Sequence, residues 1–404
     1  MEHIKNIETA LINKKIKKYK IVELVSKELW YKENFNNIFY DNIKLVKYFI
    51  IFEFNGKIFK FNVSSINNLK EIEDLIENCL QNCSGIKMNW VEDNDDRTIL
   101  KNEFKKVFFE DFDSKKIINL IKQKFESIKK ILNFSVNISY SIKVNRYRLL
   151  TDSKLLEQYY LNSDLLSMEN STFQKLAHIS NIFLDKDFSD KIVHEFSKER
   201  YGFNPEIKIE GPILIKKHAF KYIIQNYIQG FYADNIYCNQ SFISQNDISK
   251  KISDKKFDMI SCPFKDIYFD LDGNTVPEKA IISNGKILNF LSNNDYSRYL
   301  NVNSTGNTDL IDRQRISHQR LKFILKEDKF ETQKGFITIS DFDSFNVDLP
   351  TETFSAIAVC EKNNNKFCSP VNFNFKDIFN NIYRIDDNYE WIDNIYCIDV
   401  LYKF

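Results

Sequence analysis

Histidines, cysteines and closely spaced carboxylates are the side chains from which this sequence could build a metal centre or a nucleophile, and their spacing suits neither. The five histidines, His3, His178, His194, His218 and His318, are scattered. No two stand four or five residues apart, the separation that lets two imidazoles on one helix face a single zinc ion. His194-Glu195 begins like a zincin motif, but Lys198 and Glu199 hold the positions where a second histidine would have to stand, so the pair reads as a solvated helix face. His218 is alone on a helical stretch and reads as a packed or surface residue. Asp270-Leu271-Asp272-Gly273 sets two carboxylates before a glycine, yet Tyr268 breaks the alternation of acidic ligands that a calcium loop needs, and a turn is expected there.

The seven cysteines are odd in number and dispersed, unlike a secreted disulfide framework, so reduced thiols are expected. Cys262 and Cys397 lie beside strand-like segments but outside any nucleophile signature, and they read as buried thiols. Leu69, Ile72, Leu75, Ile76, Cys79 and Leu80 recur at helical spacing, which makes Cys79 a core residue rather than one half of a metal pair with Cys83. Neither a GxGxxG nor a GxxxxGK[ST] loop is present, which removes support for nucleotide chemistry.

Lys plus Arg number 57 against 56 Asp plus Glu, so the chain lacks the basic footprint of a nucleic-acid binder. With 404 residues, 43% hydrophobic and 28% charged, it can bury the cores of two domains. The N-terminus has no apolar segment like that of a signal peptide, and no later run approaches the ~20 apolar residues of a membrane span, so a cytoplasmic protein without membrane contact is expected.

The elements that must position these residues are mixed. Residues 4–27 have a roughly helical rhythm. The run from Ile43 through Asn55-Gly56 to Val63 reads as a hairpin, because Asn-Gly suits a tight turn with two positive φ angles. A helix capped by Asn67 or Asn68 and ending near Gly85 completes a ββα unit. A second helix, capped by Ser114 and running to Leu132, precedes a strand from Phe134 to Val144, and further helical stretches are expected at 171–183 and 186–200. Gly202 and Pro205 mark a break, giving an N-terminal α+β domain over 1–204 and a domain over 205–404 dominated by antiparallel sheet. In the second domain the expected elements are a strand at Ile213–Ile215, a helix over 217–229 closed by Gly230, and a hairpin at Asn284-Gly285. A strand at Phe354–Val359, a short helix near Phe375–Ile382 and a closing strand from Ile395 to Leu401 follow.

The segment from Cys262 to Asp309 has an ordered set of features. They are Pro263-Phe264, the Asp270–Gly273 turn, Val276-Pro277, the Asn284-Gly285 hairpin, a tyrosine-containing helix from Asp295 to Leu300, and the loop Ser304-Thr305-Gly306-Asn307. That order resembles the TldD/PmbA peptidase family. The N-terminal ββα unit, the 134–144 strand, Pro370-Val371, Asp377 to Ile382 and Asp386-Asp387-Asn388 extend the likeness over nearly the whole chain. The resemblance implies that active members carry His-Glu-x-x-x-His on a helix. Anchored on Gly230, this sequence sets Lys221, Tyr222 and Asn226 where that motif has its three functional residues.

What the resemblance implies is therefore a motif-lacking subunit of the TldE (PmbA) type. It would carry neither metal nor cofactor and would associate with a zinc-bearing TldD-like protease subunit as a heterodimer acting on unfolded peptides or peptide precursors. The alternative is a peptide-binding scaffold or recognition protein without a proteolytic partner. Asp270, Asp272, Gly273, Asn284, Gly285, Ser304, Thr305, Gly306 and Asn307 carry the resemblance and are the candidate peptide-binding or structural positions.

Overall fold

The computed structural model describes residues 2–34, 37–64, 68–83, 85, 103–132, 137–152, 154–170, 173–175, 179–180, 209, 211–264, 267–310, 315–329, 336–363, 365–386 and 388–403. The chain divides into two compact units, Met1–Glu199 with Lys265–Asn274, and Arg200–Phe264 with Thr275–Phe404. The first unit thus takes back a short excursion from the middle of the second, a discontinuity for which the sequence carries no local signal.

The first unit opens with helix α1 (Glu2–Asn13), whose Ile4, Ile7 and Leu11 are buried. The helical rhythm expected to continue to residue 27 stops there. Lys15 takes a positive φ of 61° and the chain turns into strand β1 (Lys18–Asn34). Residues 19–26 of this strand are all buried, and pairing with both neighbours overrides the helical spacing. Strands β2 (Asn37–Phe54) and β3 (Lys57–Val63) form the expected hairpin, with Asn55 and Gly56 at φ 51° and 72°. Helix α2 (Leu69–Asn82) is capped by Asn68, whose side chain accepts from the Glu71 N–H at 2.9 Å. The buried Ile72, Ile76 and Cys79 pack it with α1 against Ile21, Ile50 and Phe52.

Helices α3 (Glu103–Glu110) and α4 (Ser114–Leu132) cover another part of the sheet through Phe109, Ile117, Ile121 and Phe125. The cap of α4 is Asp113, which accepts from the Lys115 and Lys116 N–H groups at 2.9 and 3.3 Å, rather than Ser114. Strands β4 (Asn137–Thr151), β5 (Leu155–Asn170), β6 (Phe173–Lys175) and β7 (Ile179–Ser180) complete a sheet of order β3-β2-β1-β4-β5-β6, with β7 also on β5. The helix expected at 171–183 is corrected by β6 and β7, where long-range pairing decides the conformation. The helix expected at 186–200 and the start of the strand at Phe134 lie outside the described residues.

The second unit begins with β8 (Pro212–Ile215) and helix α5 (Lys217–Tyr227). A 3-10 turn over Ile228–Phe231 prolongs α5, so Gly230 lies inside a helical turn and does not end it. Helix α6 (Ala233–Tyr237) and strands β9 (Phe257–Cys262), β10 (Lys279–Ser283) and β11 (Lys286–Ile287) follow. Helix α7 (Asn294–Tyr299) is capped by Asn293. The remaining strands are β12 (Arg320–Leu325), β13 (Ile337–Asp348), β14 (Thr353–Lys362), β15 (Asn365–Asn374), β16 (Ile382–Ile385), β17 (Glu390–Ile392), β18 (Ile395–Cys397) and β19 (Val400–Lys403).

These strands form two sheets, β11-β10-β9-β12-β18-β17 and β15-β14-β13-β8-β19-β16, and only β12·β18 and β8·β13 are parallel. One hydrophobic core joins both sheets to α5 through Phe220, Ile223, Ile224 and Tyr227. Two local expectations are corrected. Residues 376–381 form turns, not a helix, and the closing strand is split at Ile398-Asp399, so that β18 and β19 belong to different sheets. The fold is α+β, and among the described residues no helix is long and apolar enough to cross a membrane.

Candidate functional site

Helix α5 carries the positions matched to the metal motif. Its first turn is held by a residue far along the chain. Asp399 accepts from the Lys217 N–H at 2.6 Å through Oδ1 and from Lys216 Nζ at 2.9 Å through Oδ2, placing a carboxylate at the positive end of the helix. Lys221 Nζ lies 2.6 Å from Asp393 Oδ2, with the lysine side chain 14% exposed. Burial works against the charge on Lys221, but Asp393, Tyr222 and Asp341 outweigh it and hold its pKa above the ordinary lysine value. The same ammonium stands 4.8 Å from the centroid of the Tyr222 ring, which packs in turn on Phe345 at 5.5 Å. Asn226 donates to the Tyr222 carbonyl at 2.7 Å and accepts from Gln229 at 3.1 Å.

This donor set does not fit zinc. A lysine kept protonated offers no lone pair, and the Asn226 amide is already bonded on both sides. His218 is held below the ordinary histidine range by burial and then by Lys221. Among the described residues no group of three or more His, Cys, Asp and Glu side chains is placed to hold a metal ion. His178 and the His194-Glu195 pair lie outside the described residues. Cys262 and Cys397 are buried, and burial pushes their thiols up to about 11 and about 12, so neither is a thiolate nucleophile near neutrality.

The other candidate positions fall in three separate places. Asp270, Asp272 and Gly273 belong to the excursion into the first unit. Asp270 Oδ1 accepts from the Asp272 and Asn274 N–H groups, each at 2.9 Å, which closes the expected turn with Gly273 at φ 68°. Lys20 donates to the Gly273 carbonyl at 3.1 Å, and Lys60 lies 3.8 Å from Asp272. Gln158 accepts from the Tyr268 N–H and donates to the Phe269 carbonyl, at 2.9 and 2.8 Å. Both carboxylates are almost fully buried, Asp270 closing the turn from within and Asp272 facing Lys60 of the sheet.

Asn284-Gly285 is the β10–β11 turn, at φ 49° and 74°. A Cβ on Gly285 would meet the Lys255 and Ser253 carbonyl oxygens at 2.6 and 2.7 Å, so two backbone segments cross there. In the loop Ser304–Asn307, the buried Thr305 hydroxyl accepts from the Ser292 N–H at 2.7 Å and donates to the Ser292 carbonyl at 3.1 Å. Asn307 donates to the Ser317 carbonyl at 3.1 Å. Beside this loop His318 Nδ1 meets the Tyr232 hydroxyl at 2.6 Å, and burial pushes His318 down to about 4. Tyr232, Asp393 and Asp399 stand outside every motif of the sequence. Their roles depend on partners distant in the chain, so no local pattern marks them.

A two-unit α+β chain of this plan defines a known class of fold. It is similar to a proposed modulator of a DNA gyrase from Thermotoga maritima, with TM-score 0.72, 16% identity, and 100% of this chain and 98% of that one covered. TldE from Thermococcus kodakarensis is similar at TM-score 0.72 and 11% identity, with 98% of each chain covered. A proposed modulator of DNA gyrase from Bacteroides thetaiotaomicron is similar at TM-score 0.69 and 12% identity, covering 100% and 98%. Residues 209–403 match the family described as the PmbA/TldA metallopeptidase C-terminal domain. Residues 209–403 thus form a C-terminal domain of the TldD/PmbA family. No curated protein sequence matches the chain.

Proposed function

We propose that this chain is a noncatalytic subunit of a TldD/TldE-type heteromeric metallopeptidase, binding unfolded peptides or peptide precursors together with a zinc-bearing, TldD-like subunit. The observation that carries this reading is the Lys221–Asp393 ion pair on helix α5, with Tyr222 and Asn226 beside it committed to packing and helix hydrogen bonds. A protonated lysine at the motif position repels a divalent cation, so this chain contributes shape and peptide contacts rather than hydrolysis. Backbone pairing with an extended peptide suits such a role, because strand addition gives affinity with little sequence selectivity.

The test is zinc per chain by elemental analysis, on the chain alone and after co-expression with a TldD-like protein from the same genome. Less than about a tenth of an equivalent alone, and about one per heteromeric pair, is expected. Near one equivalent on the isolated chain overturns the proposal. A chain that takes no zinc and no TldD-like partner favours a peptide-binding scaffold instead.

A further inference from the structure

The tetrapeptide Asn-Gly-Lys-Ile occurs twice, as Asn55–Ile58 and as Asn284–Ile287, and each copy makes the turn of a two-stranded hairpin. Both asparagines take a positive φ, 51° and 49°, and the glycines follow at 72° and 74°. Asn-Gly is prone to lose its side-chain amide, because glycine has no side chain to screen its backbone nitrogen from the asparagine carboxamide. With the tetrapeptide and its φ angles alike, a difference in that reaction has to come from what surrounds each turn.

The surroundings are opposite. Gly285 is buried, and its N–H donates to the Phe257 carbonyl at 2.9 Å. Lys326 Nζ donates to Asn284 Oδ1 at 3.1 Å, Asn284 Nδ2 to Ser283 Oγ at 3.4 Å, and the Asn284 N–H to Asp258 at 2.7 Å. Both the nitrogen that would attack and the amide it would attack are therefore held. At the first turn Asn55 and Gly56 are exposed, and a Cβ on Gly56 would meet nothing within 4 Å. Among the described residues neither the Asn55 carboxamide nor the Gly56 N–H has a hydrogen bond. Asp272-Gly273, the one Asp-Gly pair, resembles the second turn, with the Gly273 N–H on the Asp270 carbonyl at 3.0 Å.

We propose that Asn55 is a site of spontaneous deamidation in the folded chain, while the hydrogen bonds of the second turn protect Asn284. A solvent base takes the Gly56 N–H proton, and the nitrogen attacks Asn55 Cγ. A C–N bond forms, the Cγ–Nδ2 bond breaks, and ammonia leaves with a proton from solvent, giving a succinimide. Water then adds at either carbonyl and opens the ring to aspartate or isoaspartate. Isoaspartate runs the main chain through Cβ, which lengthens the turn that aligns β2 with β3. Strand β3 buries Ile58 and Phe59, so a change at this exposed turn reaches the core of the first unit. The inference does not depend on the subunit role proposed above.

Peptide mapping by mass spectrometry tests it, on the full chain kept at mildly alkaline pH in heavy-oxygen water, with and without urea. The heavy label separates deamidation during the incubation from deamidation during digestion. In the folded chain residue 55 should deamidate at least about tenfold faster than residue 284, because only the second turn must open before it reacts. In urea the two rates should agree within about twofold, since the fold no longer distinguishes the two turns. Equal rates in the folded chain, faster reaction at residue 284, or no reaction at residue 55 while the chain in urea reacts each overturns the proposal. A tenfold preference that survives in urea also overturns it, because residues flanking the tetrapeptide then decide the rate.

Discussion

Helix α5 and the free edge of β2 are opposite cases of what becomes of polar groups. On α5 the ammonium of Lys221, the ring of Tyr222 and the amide of Asn226 all have partners inside the same unit. Along residues 37–47 an edge of backbone amides has none among the described residues, and large apolar side chains flank it. The first region has the geometry of a closed structural joint and the second that of an open sheet edge among the described residues. The contrast fits the noncatalytic role proposed above. It also means that changes in the packed unit should cost more stability than changes at the open edge.

The largest effect on stability is expected at Gly306, where a Cβ would stand 2.3 Å from the Thr275 carbonyl oxygen at φ +68°. Gly306→Ala should cost about 4 kcal/mol, read from the urea midpoint. Gly56→Ala, at φ +72° with open space around it, should cost only about 1 kcal/mol. Acid comes next. His318 is lowered by burial from 6.5 to about 4, so below about pH 6.5 the unfolded chain binds a proton that the folded chain refuses until about pH 4. Stability should be full above that window and fall through it by at most about 3 kcal/mol. His318→Gln, which keeps an acceptor for the Tyr232 hydroxyl, should flatten this limb.

Asp393→Asn leaves the mostly buried Lys221 ammonium without its main counterion and should cost about 1–2 kcal/mol, more than Lys221→Met, which removes the charge itself. Phe39→Glu should shift chemical unfolding by less than about 0.5 kcal/mol. A large loss of stability in that variant would erase the contrast between the two regions.

Much of the fold was legible where local chemistry decides the conformation. Asn55-Gly56 and Asn284-Gly285 both form the expected turns, and Ile72, Ile76 and Cys79 of the apolar stripe on α2 are buried. The strand at Ile213 and the helix beginning at Lys217 also stand where hydrophobic spacing placed them. The misread stretches are those whose conformation is set by partners remote in sequence. Residues 18–27, 173–175 and 179–180 fall in stretches with helical spacing, yet they pair as strands. The split at Ile398-Asp399 follows from Asp399 turning to serve the start of α5, a contact spanning most of the second unit's sequence. Of the candidate site, the departure from the zinc motif could be read directly. The ion pair that occupies the position could not, because Asp393 is found only by folding.

The most direct measurement is cleavage of an unfolded polypeptide by the chain alone, by a TldD-like partner, and by the two together, each with zinc supplied. A noncatalytic subunit is silent alone at every zinc concentration. Activity of the pair should vanish when the partner's motif histidines are replaced and persist with Asp393→Asn in this chain. Zinc-dependent cleavage by the isolated chain would contradict the proposed role outright.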